Sequence, residues 1–192
     1  MAEFRFVEES HEYFLGDRKL PSVTQVLKEA GLLYYPASSS YHMERGSFVH
    51  RATEWIDRGT LDWDSLDDTL RPYCEAYAKF CRDVNPEPIL SERPLYHAQF
   101  LFAGTLDRVV KMNGFTSLID IKTGSPHPAT ALQVSAYAEL ARVNEDIHFL
   151  KCFSLHLRDD GSYRLDEIPD ARRNLQIFLA ALSVVRWKEE NL

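Results

Sequence analysis

The dipeptide Asn113-Gly114 is the feature that most constrains how this chain folds. It stands between two runs rich in β-branched and aromatic residues, inside a strand-like stretch from Ile89 to Lys122. Asn-Gly between such runs is the strongest short-range signal for a two-residue hairpin turn, because both turn positions need a positive φ. The dipeptide therefore predicts two antiparallel strands in a fixed register, with Met112 opposite Phe115.

This register brings two acidic residues face to face. Counting outward from the turn places Asp107 directly opposite Asp120, with their Cβ atoms about 5 Å apart on one face. Lys122 lies two residues beyond Asp120, so it projects from the same face. The other face is expected to suit a core, and it pairs Leu106 with Ile121, Arg108 with Ile119, and Val110 with Ser117.

Two facing carboxylates repel each other, and the repulsion raises the pKa of one of them. A divalent cation removes the conflict, since Mg²⁺ prefers oxygen ligands and often takes one or two carboxylates. Lys122 beside such an ion could orient a water or help to neutralise charge on a phosphate. An exposed hairpin in which Lys122 simply offsets Asp107 and Asp120 explains the same pattern, and geometry alone leaves both interpretations open.

The rest of the chain alternates helical and strand patterns without a repeat or a linker, which predicts one α/β domain with an N-terminal helical part. We expect a single domain over residues 1–192, with a hairpin and helices in 1–85 and the sheet core in 86–192. The predicted elements are a hairpin over Glu3–Leu20, a helix capped by Ser22 and Gln25 and ending near Gly31, a helix from Phe48 to Gly59, a helix from Leu66 to Val84, a helix over Pro128–Arg142, a hairpin of Ile147–Leu157 with Tyr163–Ile168, and a helix over Asp170–Glu190.

Composition excludes several classes of protein. The net charge is −7, so binding to duplex nucleic acid by general electrostatics is not expected. Apolar runs are too short to span a bilayer, and the acidic start does not look like a signal or transit peptide. Three cysteines without a CxxC pair argue against a disulfide framework or a structural zinc site. A cytoplasmic protein with no membrane partner is the expectation.

Four motifs in order resemble the PD-(D/E)XK nuclease superfamily, in its RecB-like branch. They are the Arg45-Gly46-Ser47-Phe48-Val49-His50 segment, Gly104-Thr105-Leu106-Asp107, Asp120-Ile121-Lys122-Thr123, and Gln133-Val134-Ser135-Ala136-Tyr137. The segment Leu20-Pro21-Ser22-Val23-Thr24-Gln25-Val26-Leu27 is similar to the one that precedes the histidine helix in phage-type exonucleases and in the mitochondrial genome maintenance exonuclease. The resemblance implies a restriction-endonuclease-like fold, a mixed central sheet flanked by helices, in a protein encoded by a bacterium or phage.

The resemblance also implies roles for these residues. Asp107 and Asp120 would bind one or two Mg²⁺ or Mn²⁺ ions, with His50 and the carbonyl of Ile121 completing the metal shell. Lys122 would position or activate the attacking water. Substrate binding would fall to three further residues, Gln133, Tyr137 and Arg45.

The implied activity is a metal-dependent deoxyribonuclease, an exonuclease acting on single-stranded DNA or free DNA ends through a metal-activated water. Such an enzyme would serve DNA repair or recombination. Two alternatives stay open, namely a catalytically silent nuclease-fold protein that binds DNA or a recombination partner, and a ribonuclease. Further candidates for the site are Glu92, His127 and Glu54, and the tyrosines Tyr34, Tyr35 and Tyr41 are candidates for stacking on bases.

The sequence lacks two features that would imply a further cofactor or activity. Some relatives hold an iron–sulfur cluster with one early and several late cysteines. Cys152 is the last of the three cysteines here, so no four-cysteine cluster is expected. The chain also has no Walker-type phosphate loop, so no helicase activity is expected in it.

Overall fold

A computed structural model describes residues 2–34, 40–148 and 151–192, with the side chains of 40–43 left out of the description. Its elements are β1 (Phe4–Val7), β2 (Glu12–Leu15), β3 (Arg18–Leu20), α1 (Val23–Glu29), α2 (Ser40–Asp57), α3 (Arg71–Val84), β4 (Glu87–His97), β5 (Phe102–Met112), β6 (Phe115–Lys122), α4 (Ala129–Glu145), β7 (Lys151–Leu157), β8 (Tyr163–Glu167) and α5 (Ala171–Asn191). The described helices include none with the length and apolarity that crossing a membrane requires.

A mixed sheet in the order β4-β5-β6-β7-β8 forms the centre of the molecule. All neighbouring strands run antiparallel except β6 and β7, which are parallel. Parallel neighbours need a long crossover connection, and α4 lies in the chain between these two strands. The predicted α/β class with a mixed sheet flanked by helices is confirmed.

The hairpin between β5 and β6 has the predicted register. Asn113 and Gly114 adopt positive φ angles of 50° and 79°, as a tight turn of this kind requires. The ladder runs from Met112 opposite Phe115 to Arg108 opposite Ile119. Paired rungs stop there, immediately before Asp107 and Asp120, so the two acids lie where the strands begin to part.

Helices cover both faces of the central sheet. One face packs against α1, α4 and α5, and the other packs against α2 and α3. Leu106 was predicted to share a face with Arg108 and Val110, and this is wrong. Leu106 packs in the same cluster as Val109 and Leu118, while Val110 packs on the opposite face. Strict alternation is therefore broken in β5 beside Asp107.

The N-terminal hairpin is confirmed and gains a third strand, β3, to make a small antiparallel sheet. Tyr13 and Leu20 of this sheet pack on Ala103 of β5. Helix α1 begins with the predicted capping box, since Ser22 and Gln25 exchange side-chain and backbone hydrogen bonds.

The helix α3 begins later than its apolar spacing predicts. It starts at Arg71 rather than near Leu66. The carboxylate of Asp67 accepts hydrogen bonds from the backbone and the hydroxyl of Thr69. Such local bonds of Asp compete with the helical ones and favour a turn, so the helix cannot include this segment.

Candidate active site

Four elements deliver charged side chains to the point where β5 and β6 separate. Helix α2 contributes His50, β4 contributes Glu92, and β5 contributes Asp107. One ligand atom from each of these three residues lies within 4.8 Å of the other two. Strand β6 adds Asp120 and Lys122 beside them, so the elements converge on a cluster of potential metal ligands and one ammonium group.

The peptide of Ile121 holds His50 and Asp107 in place. Its N–H donates to Oδ2 of Asp107 at 2.6 Å, and its carbonyl oxygen lies 3.1 Å from Nε2 of His50. A carbonyl only accepts, so Nε2 carries the proton of this hydrogen bond. Nδ1 of His50 therefore faces Asp107 Oδ1 at 3.5 Å and Glu92 Oε1 at 3.6 Å.

The carbonyl oxygen of Ile121, predicted to bind the metal, contacts the imidazole of His50 in this structure. The oxygen has two lone pairs, and one of them receives the imidazole N–H. Metal-binding histidines typically donate their second N–H to a carbonyl or a carboxylate, which fixes the tautomer and the ring orientation. The contact gives His50 the arrangement of a metal ligand through Nδ1.

Mutual charge effects within the cluster are strong. Burial disfavours the charged imidazole, but Asp107 and Glu92 outweigh it and raise the pKa of His50 to about 9. Burial, together with the charges of Asp120 and Glu92, raises the pKa of Asp107 to about 6. Burial also acts on Glu92, yet His50 and Arg108 hold the pKa of Glu92 below its usual range. Asp107 and Glu92 thus favour a positive charge at the imidazole, and a bound cation could supply one in its place.

Asp120 and Lys122 form a pair next to the cluster. Nζ of Lys122 lies 2.7 Å from Oδ2 of Asp120, and the aspartate is 2% exposed. This buried oxygen has no hydrogen bond of good geometry among the described residues. A buried carboxylate is costly unless it is paired, so the Lys122 ammonium compensates this charge, and a metal ion could add to that compensation.

These donors fit a hard divalent cation. Carboxylate oxygens suit Mg²⁺ and Mn²⁺, and one imidazole is compatible with Mn²⁺ in particular. The oriented Nδ1 of His50 favours an ion at this place, and the buried carboxylate of Asp120, held only by the ionic contact with Lys122, is a further potential ligand beside it. The cluster could therefore hold a divalent metal, with Glu92 as an additional ligand.

Gln133 and Tyr137 lie one turn apart on α4, as predicted, and contact each other. Nε2 of Gln133 donates to the hydroxyl of Tyr137 at 3.1 Å. Burial, together with the negative charges of Asp120 and Asp107, raises the pKa of Tyr137 well above its ordinary value. The phenol therefore lies within electrostatic reach of the carboxylates. The ring packs directly on Gly104, where an added Cβ would come within 2.6 Å of Tyr137 Cε1.

Other candidate residues have mainly structural contacts. The guanidinium of Arg45 donates to the carbonyl of Thr123 and stacks over the ring of Tyr73. Nδ1 of His127 accepts from the backbone N–H of Ala129 at the start of α4. The carboxylate of Glu54, another candidate for the site, is paired with Arg58.

The tyrosines considered for base stacking are only partly described. Tyr34 is 77% exposed. Tyr35 and the side chain of Tyr41 lie outside the described residues. Their role in stacking stays a prediction.

Two features were missed by the sequence analysis. Arg108 was assigned to an apolar face, yet it is buried in a network with Asp57, Glu92 and Thr53. His11 was not considered, yet its Nε2 lies 3.0 Å from the hydroxyl of Tyr13, which contacts Thr105 in the Gly104–Asp107 motif. A charged residue directly after Asp107 was the available signal for Arg108; no local signal marks His11.

Comparisons with known proteins agree with this geometry. The family model of the PD-(D/E)XK nuclease superfamily matches residues 25–178. Among solved structures, a "putative exonuclease" from Eubacterium rectale is similar with a TM-score of 0.57 and 15% identity over 91% of this chain and 77% of that chain. An alkaline exonuclease from Laribacter hongkongensis has a TM-score of 0.43 and 16% identity over 86% of this chain and 90% of that chain.

Among curated proteins no sequence matches this one. The family match covers most of the chain and includes all four motifs, and the site has the side chains that those motifs supply. The chain belongs to the PD-(D/E)XK nuclease superfamily.

Proposed function

We propose that this protein is a Mg²⁺- or Mn²⁺-dependent deoxyribonuclease that hydrolyses phosphodiester bonds. The observation that carries the proposal is the convergence of His50, Glu92 and Asp107 within 4.8 Å, directly beside the Asp120–Lys122 pair. A cluster of this composition binds a divalent cation, and the adjacent ammonium group provides a cationic partner for a phosphate.

The charged residues of the site would have separate roles in metal binding and in chemistry at the phosphate. His50, Glu92, Asp107 and Asp120 would hold the ion, which supplies Lewis-acid polarisation of the phosphodiester when bound. Lys122 would orient the attacking water and stabilise negative charge on the phosphoryl oxygens. The Asp120 carboxylate holds the Lys122 ammonium at 2.7 Å, which keeps that group at the site. Gln133 and Tyr137 would form the wall of the substrate pocket on the side of α4.

The proposed substrate is single-stranded DNA or a free DNA end. This choice rests on the resemblance of the motifs to those of phage-type exonucleases. It is also consistent with the net charge of −7, because an acidic protein does not coat duplex DNA by general attraction. A strand end that enters a local site needs only local cationic groups such as Lys122.

The test uses end-labelled oligonucleotides of single-stranded DNA, duplex DNA and RNA with Mg²⁺, Mn²⁺ or EDTA. We expect metal-dependent shortening of DNA from one end, abolished in Asp120→Ala and retained in Asp83→Ala, a surface aspartate paired with Lys79. Binding of DNA without cleavage in either metal would support the silent binding protein. Preferential cleavage of RNA would support the ribonuclease.

Two broader proposals accompany this function. The chain would act as a single nuclease domain, since β5 contributes both to the core of the central sheet and to the cluster that attaches the N-terminal sheet. A reducing compartment such as the cytoplasm would suit it, because Cys74, Cys81 and Cys152 are free thiols.

A further inference from the structure

Arg108 is a buried cation directly next to Asp107. Its side chain is 1% exposed, on a strand otherwise dominated by apolar residues. A buried guanidinium is costly unless its N–H groups are used. Here each of its three nitrogens donates a hydrogen bond, so the position is built for an arginine rather than merely tolerating one.

The bonds of Arg108 reach three elements around the site. Nε donates to Asp57 at 2.6 Å, and Nη2 donates to Thr53 at 3.1 Å, both on α2. Nη1 donates to Glu92 of β4 and to the backbone carbonyl of Asp107, each at 2.8 Å. Arg108 therefore ties α2 and β4 to the strand that carries Asp107.

The connection to α2 continues to His50. The hydroxyl of Thr53 donates to the carbonyl oxygen of His50 at 2.7 Å. Asp57 is held from the other side by the hydroxyl of Tyr77 at 2.8 Å. The turn of α2 that carries His50 is thus fixed to Arg108 through a neutral partner, Thr53, and a charged partner, Asp57.

Glu92 has a backbone that needs such a partner. Its φ is 44°, a left-handed conformation that costs free energy for a residue with a Cβ. The neighbouring residues Ser91 and Arg93 pair with β5, but Glu92 has no rung of its own. Its Oε1 lies 2.8 Å from Nη1 of Arg108 and 3.6 Å from Nδ1 of His50. The carboxylate therefore stands between the guanidinium and the metal-facing nitrogen.

We propose that Arg108 is the positioning residue of this site: it holds Glu92 and the backbone of Asp107 at the spacing that a divalent cation needs, and it thereby sets the metal affinity. This inference rests on the proposed function, because it assumes that the cluster binds a metal. The positive charge of Arg108 acts in the opposite direction and weakens metal binding, since a nearby cation repels a metal ion. Asp57 offsets that charge at 2.6 Å, so the positioning effect prevails.

The experiment measures Mn²⁺ binding to the full chain by calorimetry after removal of metal with EDTA. We expect Arg108→Met to weaken Mn²⁺ binding about 10- to 100-fold, the range found for partners that orient metal ligands. Arg108→Lys keeps the charge but loses the fork of donors, and it should fall between Arg108→Met and the wild type. The matched control is Arg186→Met, because Arg186 also donates to backbone carbonyls, those of Phe100 and Leu101, away from the site.

A double-mutant cycle separates positioning from general loosening of the fold. If Arg108 acts through Glu92, Arg108→Lys should weaken Mn²⁺ binding much less in a Glu92→Ala background than in the wild type. Full additivity, unchanged affinity in Arg108→Lys, or tighter binding would overturn the inference. Absence of Mn²⁺ binding by the wild type is a separate result, and it would overturn the proposed function itself.

Discussion

Lys122 pairs with Asp120 and lies outside the group of three residues that face one another in the site. His50, Glu92 and Asp107 face one another, whereas the Lys122 ammonium lies against Asp120 at 2.7 Å. An ammonium cannot ligate a metal while charged. We therefore propose that Lys122 acts at the phosphate rather than in metal binding, and these two properties can be measured separately.

We predict that Lys122→Ala lowers the rate of DNA cleavage by about 10²- to 10⁴-fold, the usual contribution of a positioned proton-transfer group. Its Mn²⁺ affinity should not fall, since Asp120 loses a competing cation. Single-turnover cleavage and calorimetry measure the two quantities. Lys111→Ala, an exposed lysine of the same hairpin, serves as the control. Near-normal cleavage by Lys122→Ala would contradict the assigned role.

How far the residues of the site could be predicted depends on the range of the contacts involved. The turn at Asn113-Gly114 sets the register of the rungs outward to Arg108, so it leads to the neighbourhood of Asp107 and Asp120. The exact placement of Asp107 depends in addition on the break in alternation beside it. Glu92 and Arg108 depend on contacts with α2, which lies far away in the chain. Neither periodicity nor turn chemistry describes such a contact, so Arg108 was assigned to an apolar face.

At the scale of elements, the approach of α4 to β5 is unusually close. Gly104 is the residue that permits it, because an added Cβ would lie 2.6 Å from Tyr137 Cε1 and 3.3 Å from Val23 Cγ2. The contact brings the ring of Tyr137 close to the carboxylates. The lack of a side chain at Gly104 therefore allows α4 to pack against β5 and places Tyr137 next to the site.

Gly104→Ala is predicted to lower the free energy of unfolding by about 1–3 kcal/mol, as overpacking of a core does. Urea denaturation measures the change. Gly124→Ala is the matched control, since no non-adjacent residue among those that the structure describes lies within 4 Å of the added Cβ, and its backbone φ is outside the left-handed region. Equal stability of Gly104→Ala and the wild type would show that Tyr137 moves freely.

The turn between β4 and β5 depends on a neutral histidine. Nδ1 of His97 accepts from the backbone N–H of Phe100 at 3.1 Å, and His97 is 5% exposed. Burial lowers the pKa of His97, although Glu139 partly opposes this shift and Arg142 adds to it. A proton on Nδ1 would break the hydrogen bond that closes the turn.

We therefore expect acid to destabilise the protein partly through His97. Because the folded pKa is lower than the unfolded value of 6.5, the unfolded chain binds the proton more tightly, and stability falls as the pH drops below about 6.5. His97→Asn should show a smaller loss between pH 7 and pH 5 in urea denaturation. His148→Asn, an exposed histidine, should keep the loss seen in the wild type. Identical pH profiles of His97→Asn and the wild type would refute this role.

The boundaries of elements could be predicted where local chemistry acts alone. The Ser22–Gln25 capping box marks the start of α1 correctly. The spacing of Leu66 and Leu70 suggests a longer α3, but the hydrogen bonds of Asp67 to Thr69 end that pattern before Arg71. Apolar spacing does not reveal which backbone groups a side chain will occupy.

On the scale of the whole molecule, the proposed metal ligands come from four separate elements, α2, β4, β5 and β6. An ion bound there would join a helical layer to the sheet, and it would not bind the unfolded chain in the same way. Metal binding and global stability are therefore expected to be linked.

We predict that saturating Mn²⁺ raises the melting temperature of the wild type. At 100-fold excess over Kd the native state gains about 2.7 kcal/mol, which corresponds to roughly 5–10 °C for a chain of this size. Asp107→Asn should lose this gain and, with EDTA, melt no lower than the wild type, because burial, together with Asp120 and Glu92, disfavours the charged carboxylate and raises its pKa to about 6. Asp166→Asn, with its half-exposed carboxylate on β8, should respond to Mn²⁺ like the wild type.

Ile121 is used twice by this protein. Its side chain is fully buried against α2 and α3, while its peptide receives His50 and supports Asp107. Evolution can therefore vary the shape of the aliphatic group at this place without altering the chemistry of the backbone, which every amino acid except proline provides. Tolerance to substitution at position 121 should follow the volume and apolarity of the side chain, even though the residue stands between the acidic and basic groups of the Asp120–Lys122 pair.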